Sequence, residues 1–156
     1  MNKIISLSLI ILIAGCSSEA TNVETTSVDK DKTYNWRLVT SWPKNYPGLG
    51  MAPERIADLV EEMSDGQMTI TVYGAEEQVP AFGVFDAVSS GSHQMGHSGG
   101  YFWKGKVPAA QFFTSVPFGL TADEINAWVN RGGGLELWRE IYAPFNIYPI
   151  PAGNTG

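Results

Sequence analysis

The chain has 156 residues, 44% of them hydrophobic and 12% aromatic, which is enough for one domain with a sizeable core. Its formal charge is −6, with 16 acidic residues against 10 Lys and Arg and no basic cluster, which argues against a nucleic acid as partner. Cys16 is the only cysteine, so these residues can form neither an internal disulfide nor a cysteine-ligated metal site.

Met1–Gly15 reads as a secretory signal. Lys3 precedes an apolar stretch, Ile4–Ala14, that is too short to span a bilayer, and Ile13-Ala14-Gly15-Cys16 is a lipobox. Cleavage before Cys16 and lipid attachment to its thiol would tether the remainder outside the cytoplasm. Lys3 leaves with the signal, so the mature balance is 9 basic against 16 acidic residues, or −7. Residues 16–32 are rich in Ser, Thr, Asp, Glu and Lys and read as a flexible linker, which leaves 33–156 as the folded unit.

Tyr34–Thr40 alternates as a strand, ended by Ser41-Trp42-Pro43. Pro53 suits a first helical turn, and Ile56, Leu59, Val60 and Met63 form the stripe of an amphipathic helix that Asp65-Gly66 stops. Met68–Tyr73 alternates as a second strand. Pro80 opens a helix over Ala81–Ser90 with Phe82, Phe85 and Val88 on one side, and Gly91 closes it. His93–Ser98 reads as a third strand. The β-α-β-α-β order with short connections predicts a parallel sheet. Thr121 and Glu124 form a capping box ahead of Ile125, Trp128 and Val129. Gly132-Gly133-Gly134 breaks that helix, and Leu135–Tyr142 forms another with Trp138, Ile141 and Tyr142 inward. Asn146–Pro151 reads as a fourth strand. An open parallel sheet needs both faces covered, and no helix follows this strand, so the chain reads as a fragment of a longer protein.

Gly96-His97-Ser98-Gly99-Gly100 matches G-x-S-x-G, the nucleophile elbow of a serine hydrolase, directly after a strand. The only histidines are His93 and His97, however, and none follows Ser98 as the hydrolase order requires. The competing reading is a glycine loop that lets a ligand approach backbone N–H groups. On a strand His93 and His97 would lie about 13 Å apart, too far to share a metal. The three glycines at 132–134 lack the Gly-Lys-Ser/Thr of a phosphate loop. Trp42, Glu77, Gln78, Ser98, Tyr101 and Asn154 all follow strand ends, where open α/β sheets bind ligands. They offer the aromatic, hydroxyl and amide groups of a small-molecule pocket.

Several stretches in order carry a resemblance: Gln78–Phe82, Phe85–Gly91, Met95–Ser98, Tyr101–Lys106, Val116–Thr121 and Gly153–Gly156. From about Tyr34 onward the chain resembles the solute-binding proteins of tripartite ATP-independent periplasmic (TRAP) transporters, most closely the branch that binds 2-oxo acids such as pyruvate. The resemblance implies a binding protein and no enzyme. The fold it implies is a periplasmic-binding-protein-like α/β lobe, its mostly parallel sheet flanked by helices, with a second lobe largely missing beyond a hinge crossing near the end of the chain. It also implies a membrane permease as partner, with capture of a small organic acid for uptake driven by an ion gradient. By resemblance, Tyr101 lies at the pocket wall, Trp42, Gln78, Ser98 and Phe118 face the cleft from the first lobe, and Asn154 enters the hinge. The family's carboxylate-binding arginine matches none of Arg37, Arg131 or Arg139 and falls downstream. So does the region that holds a cation, sodium or calcium, beside the substrate; no cofactor is expected in this fragment itself. Two features depart from the family: Glu76 stands where relatives carry Gly, and a lipid anchor at Cys16 is less usual. The rival readings are a secreted serine hydrolase using Ser98 and a structural or adhesive lipoprotein.

Overall fold

Seven residues, Tyr34–Thr40, form the central strand β1 of a computed structural model that describes residues 32–114 and 116–153. The expected signal peptide, Cys16, the linker up to Asp31 and Asn154 lie outside these residues. β2 (Met68–Tyr73) runs parallel to β1 from Tyr34↔Met68 to Val39↔Tyr73, and β3 (Met95–His97) runs parallel on the other side from Leu38↔Met95 to Thr40↔His97. The order is therefore β2-β1-β3. Burial in β1 follows this ladder. Tyr34 to Arg37, ahead of the β3 pairing, are exposed, whereas Leu38, Val39 and Thr40, flanked on both sides, are buried.

Helix α1 (Met51–Met63) connects β1 to β2, and α2 (Val84–Ser89) carries the chain back across β1 to β3. The two crossovers run in opposite directions. Right-handed connections then place the two helices on opposite faces of the sheet, and the packing agrees. Leu38, Ile70 and Val72 meet Ala57 and Val60 of α1 on one face. Val39 meets Val84, Phe85 and Ala87 of α2 on the other, together with Trp103, Val107, Ala110 and Tyr142. The inward stripe of α1 is thus buried Pro53 and Ala57 with half-buried Val60, and the expected Met63 is 77% exposed at the helix end.

The second core extends through two 3-10 segments, Gly100–Trp103 and Pro108–Phe113, to α3 (Ala122–Arg131) and α4 (Gly134–Tyr142). Trp103 Nε1 donates to the Tyr142 hydroxyl at 2.7 Å, a buried bond that joins the first of these segments to α4. Phe113 stacks on both Trp128 and Trp138, tying α3 and α4 to the second. The capping box at Thr121 forms as its spacing predicts: Thr121 Oγ1 accepts from the Glu124 N–H, and the Glu124 carboxylate accepts from the Thr121 N–H.

Three expected elements differ. The helix expected over Ala81–Ser90 begins as a 3-10 turn, Ala81–Gly83, which swings Phe82 outward to 68% exposure. The third strand is only three residues long. His93 is held in the preceding turn by its N–H donating to Ala87 C=O, and Ser98 has left the ladder. The fourth strand, Asn146–Pro151, does not form among the described residues. The segment starts from a left-handed Asn146 after a 3-10 turn, and Pro149 and Pro151 have no N–H to give a ladder.

Candidate functional site

In a sheet ordered β2-β1-β3 the chain leaves β1 toward both edges, so the C-terminal ends of β1 and β3 flank a topological switch point. Crevices that hold ligands in open α/β sheets form at such points. Ser41 and Trp42 emerge from β1 there, and His97 and Ser98 from β3. The two strands stay joined to their ends by the Ser41 N–H donating to His97 C=O at 3.1 Å.

Side-chain alternation sorts these residues onto two faces. On the α2 face, buried Ser41 donates its hydroxyl proton to Ala81 C=O at 2.7 Å and lies at hydrogen-bond distance from Ser98 Oγ. Because the Ser41 proton is spent on a carbonyl, Ser98 is the donor of that pair. Its proton is directed to another hydroxyl and not to a base, so the G-x-S-x-G match does not assemble a nucleophile. On the other face the Trp42 ring lies 5.0 Å from the His97 ring at 55°, and the Trp42 N–H donates to Thr40 Oγ1 at 3.1 Å. Phe102, packed on the α2-side core, joins the two groups at the strand ends: its ring lies 6.2 Å from Trp42, 4.5 Å from Tyr101 and 5.1 Å from Phe82.

The glycines around Ser98 serve close packing. A Cβ at Gly96 would sit 2.7 and 2.8 Å from the side chains of Val84 and Val88, so this glycine lets α2 lie directly on β3. A Cβ at Gly99 would strike the Tyr101 ring at 2.6 Å, and one at Gly100 the Ala110 carbonyl oxygen at 2.7 Å. The first of these places Tyr101 over the loop.

Gln78 is exposed on the β2–α2 loop. That loop is fastened to the site by the Ala75 N–H donating to Trp42 C=O at 3.0 Å, and Glu76 within it is left-handed, with φ 68°. The Glu76 carboxylate accepts from the Ala81 N–H at 3.1 Å, and Lys44 lies 3.7 Å from Glu77. Of the sequence-predicted site residues, Trp42, Ser98 and Tyr101 therefore come together, and Gln78 stands on the adjoining loop. Phe118 does not join them. Its side chain is fully exposed on a left-handed residue, φ 59°, and it contacts none of the wall's rings. Near it in sequence, Phe112, Val116, Leu120 and Trp128 line a shallow apolar hollow of about 230 Å³ on the α3 flank. His97, Phe82 and Phe102 were missed as wall residues. Tyr101-Phe102 and Pro80-Ala81-Phe82 held the signal, as aromatic residues next to predicted site positions.

Burial lowers the pKa of His97 below its usual 6.5, which favours the neutral ring at pH 7. Among the described residues no three His, Cys, Asp or Glu side chains assemble a metal site. This part of the cleft is an aromatic wall beside a pair of hydroxyls. It can orient a small ligand and exclude water from it, and no residue of the wall carries a charge to neutralise an anion.

Comparison with known proteins gives this site a family. Residues 38–150 match the family described as bacterial extracellular solute-binding protein, family 7. A monocarboxylate 2-oxoacid-binding periplasmic protein of Nostoc sp. is 47% identical over 121 residues, covering 78% of this chain and 33% of its own length. A TRAP periplasmic solute-binding protein of Pseudoalteromonas atlantica, solved with bound sodium and pyruvate, superposes with TM-score 0.76 at 48% identity. Its counterpart from Colwellia psychrerythraea, solved with calcium and pyruvate, gives 0.76 at 44%. Each alignment covers 78% of this chain and 37% of the solved one. The chain thus spans about a third of the length of the relatives it matches. With the match extending over most of the folded residues, and with the parallel α/β lobe shared, this chain belongs to the bacterial extracellular solute-binding proteins of family 7.

Proposed function

We propose that the chain is the first lobe of a TRAP-type receptor that captures a small organic acid, a 2-oxo monocarboxylate such as pyruvate, for delivery to a membrane permease. The observation that carries this reading is that two relatives, 48% and 44% identical, were solved with bound pyruvate and a cation, sodium in one and calcium in the other. The wall built by Trp42, Ser98 and Tyr101 at the switch point supports it, since aromatic rings and hydroxyls suit a compact polar ligand held away from water. Gln78 and Asn154 are proposed to reach the ligand from the loop and the hinge, and Phe118 to meet the second lobe when the cleft closes. Among the described residues no three His, Cys, Asp or Glu side chains cluster, and sodium or calcium, where it is used, is proposed to be held by residues beyond them. The receptor is proposed to work in the periplasm, tethered through Cys16 after removal of 1–15, with a linker over 16–32 and the lobe over 33–156.

Isothermal titration calorimetry with pyruvate, on this chain and on the product of its complete reading frame, tests the proposal. The complete product is expected to bind, and this chain alone to gain no thermal stability from 1 mM pyruvate. Tight binding by the chain alone would overturn the division of the site between lobes, and no heat from the complete product across a panel of 2-oxo acids would overturn the reading. Turnover of a p-nitrophenyl ester that is lost in Ser98→Ala would favour the hydrolase instead. Mass spectrometry of the mature N-terminus checks the lipid on Cys16.

A further inference from the structure

His97 lies at the switch point, and beyond its place in the wall its ring nitrogens have no role in the reading so far. It ends β3, pairs with Thr40, and packs its ring against Trp42 at 5.0 Å. Its Nδ1 is buried and has no hydrogen-bond partner among the described residues. A proton on Nδ1 would therefore be a buried N–H without an acceptor, and orphaned buried N–H donors are rarer in folded proteins than under-satisfied acceptors. The favoured tautomer is the one that leaves Nδ1 bare and puts the hydrogen on Nε2. The residue is only part-buried, so Nε2 is the ring nitrogen able to meet a partner from outside.

We infer that His97 reads the ligand: as a neutral imidazole it donates its Nε2–H to an oxygen of the organic anion bound against Trp42. This rests on the function proposed above. The surroundings favour a neutral donor. Charged and titratable groups on the elements around it are Tyr34 and Arg37 on β1, Glu54, Arg55, Asp58, Glu61 and Glu62 on α1, Tyr73 on β2, Lys44, Glu76, Glu77 and His93 in the loops, Asp86 on α2, and Tyr101 and Lys104 beside the wall. Arg37 is turned to Ser92 C=O, Lys44 to Glu77 and Asp86 to Lys106. None of them offsets the burial that keeps the ring uncharged. A neutral N–H satisfies a carbonyl or carboxylate oxygen without burying another charge. A ligand with no oxygen at that place would leave the donor unpaired, so His97 adds specificity as well as affinity.

Long-range 15N NMR of the complete reading-frame product at pH 7.5, with and without pyruvate, tests the tautomer and the contact, and calorimetry with pyruvate on the same product measures the affinity. Expected are an Nε2–H tautomer, a shift of the Nε2 resonance when pyruvate binds, and a loss of affinity of tenfold or more in His97→Phe that His97→Gln partly restores. An Nδ1–H or cationic ring at pH 7.5 overturns the inference with or without ligand. Wild-type affinity in a folded His97→Phe overturns the inference alone, whereas no binding by the wild type overturns the functional reading and the contact with it. Should His97→Phe fail to fold, the wild-type resonance decides: an Nε2 signal unmoved at saturating pyruvate overturns the contact.

Discussion

Glu76 gives the sharpest test of the physical account, because it breaks a backbone rule and compensates for it. At φ 68° a residue with a Cβ is strained by about 1–2 kcal/mol relative to the right-handed region. Its carboxylate recovers part of this by accepting the Ala81 N–H at 3.1 Å, a bond worth about 1 kcal/mol. Glu76→Ala keeps the strain and loses the bond, and is expected to cost about 1 kcal/mol, or about 4 °C in Tm. Glu76→Gly loses the same bond but removes the strain, offset by about 0.4–1 kcal/mol of extra freedom in the unfolded chain, and should come out close to wild type. The expected order is therefore wild type and glycine together, with alanine below both. Urea denaturation of the three proteins at pH 7.5 measures it. Alanine as stable as wild type, or glycine less stable than alanine, would refute the reasoning. The comparison bears on the site as well as on stability, since this loop carries Gln78 and is tied to Trp42.

Gly96→Ala should destabilise by about 1–3 kcal/mol in urea melts, because its methyl meets Val84 and Val88 closer than side-chain atoms pack. Trp103→Phe removes the donor to the Tyr142 hydroxyl and should cost about 1–3 kcal/mol, with the Trp103→Phe/Tyr142→Phe double variant less destabilised than the sum of its parts. Acid should weaken the fold through its histidines. Burial lowers both His93 and His97 in the folded state, with Arg37 adding to the effect at His93. The unfolded chain therefore takes up protons first, and the stability that the neutral rings contribute is complete above pH 6.5 and is lost as pH falls from there through the lowered folded values. The urea midpoint should drop between pH 7.5 and 5.5, and His97→Asn should shrink the drop. An unchanged slope in that variant would contradict the burial argument.

What the sequence disclosed and what it withheld divide along a physical line. β1, β2 and the α3 cap were legible because each is decided within a few residues, by alternation on a pleat or by a threonine three residues before a glutamate. The β-α-β-α-β alternation made a parallel sheet with its site at the strand ends legible too, but the order β2-β1-β3, and with it the switch point, came only from the structure. Burial of a given ring was not legible, because it depends on what arrives from elsewhere. Phe82 looked like a helix's inward residue, yet a 3-10 turn after Pro80 rotates it out to meet Phe102. The glycines beside Ser98 looked like an opening toward the backbone, and their missing Cβ atoms also let Val84, Val88 and the Tyr101 ring close in. His97 falls in the same class. As a strand histidine it said nothing, and its chemistry follows from Trp42 covering one of its faces and from an Nδ1 that no described neighbour satisfies. Glu76 falls between the two. The resemblance singled this position out, but only the left-handed backbone explains why a glycine would sit there without strain and why a carboxylate, which reaches the Ala81 N–H, offsets part of the strain.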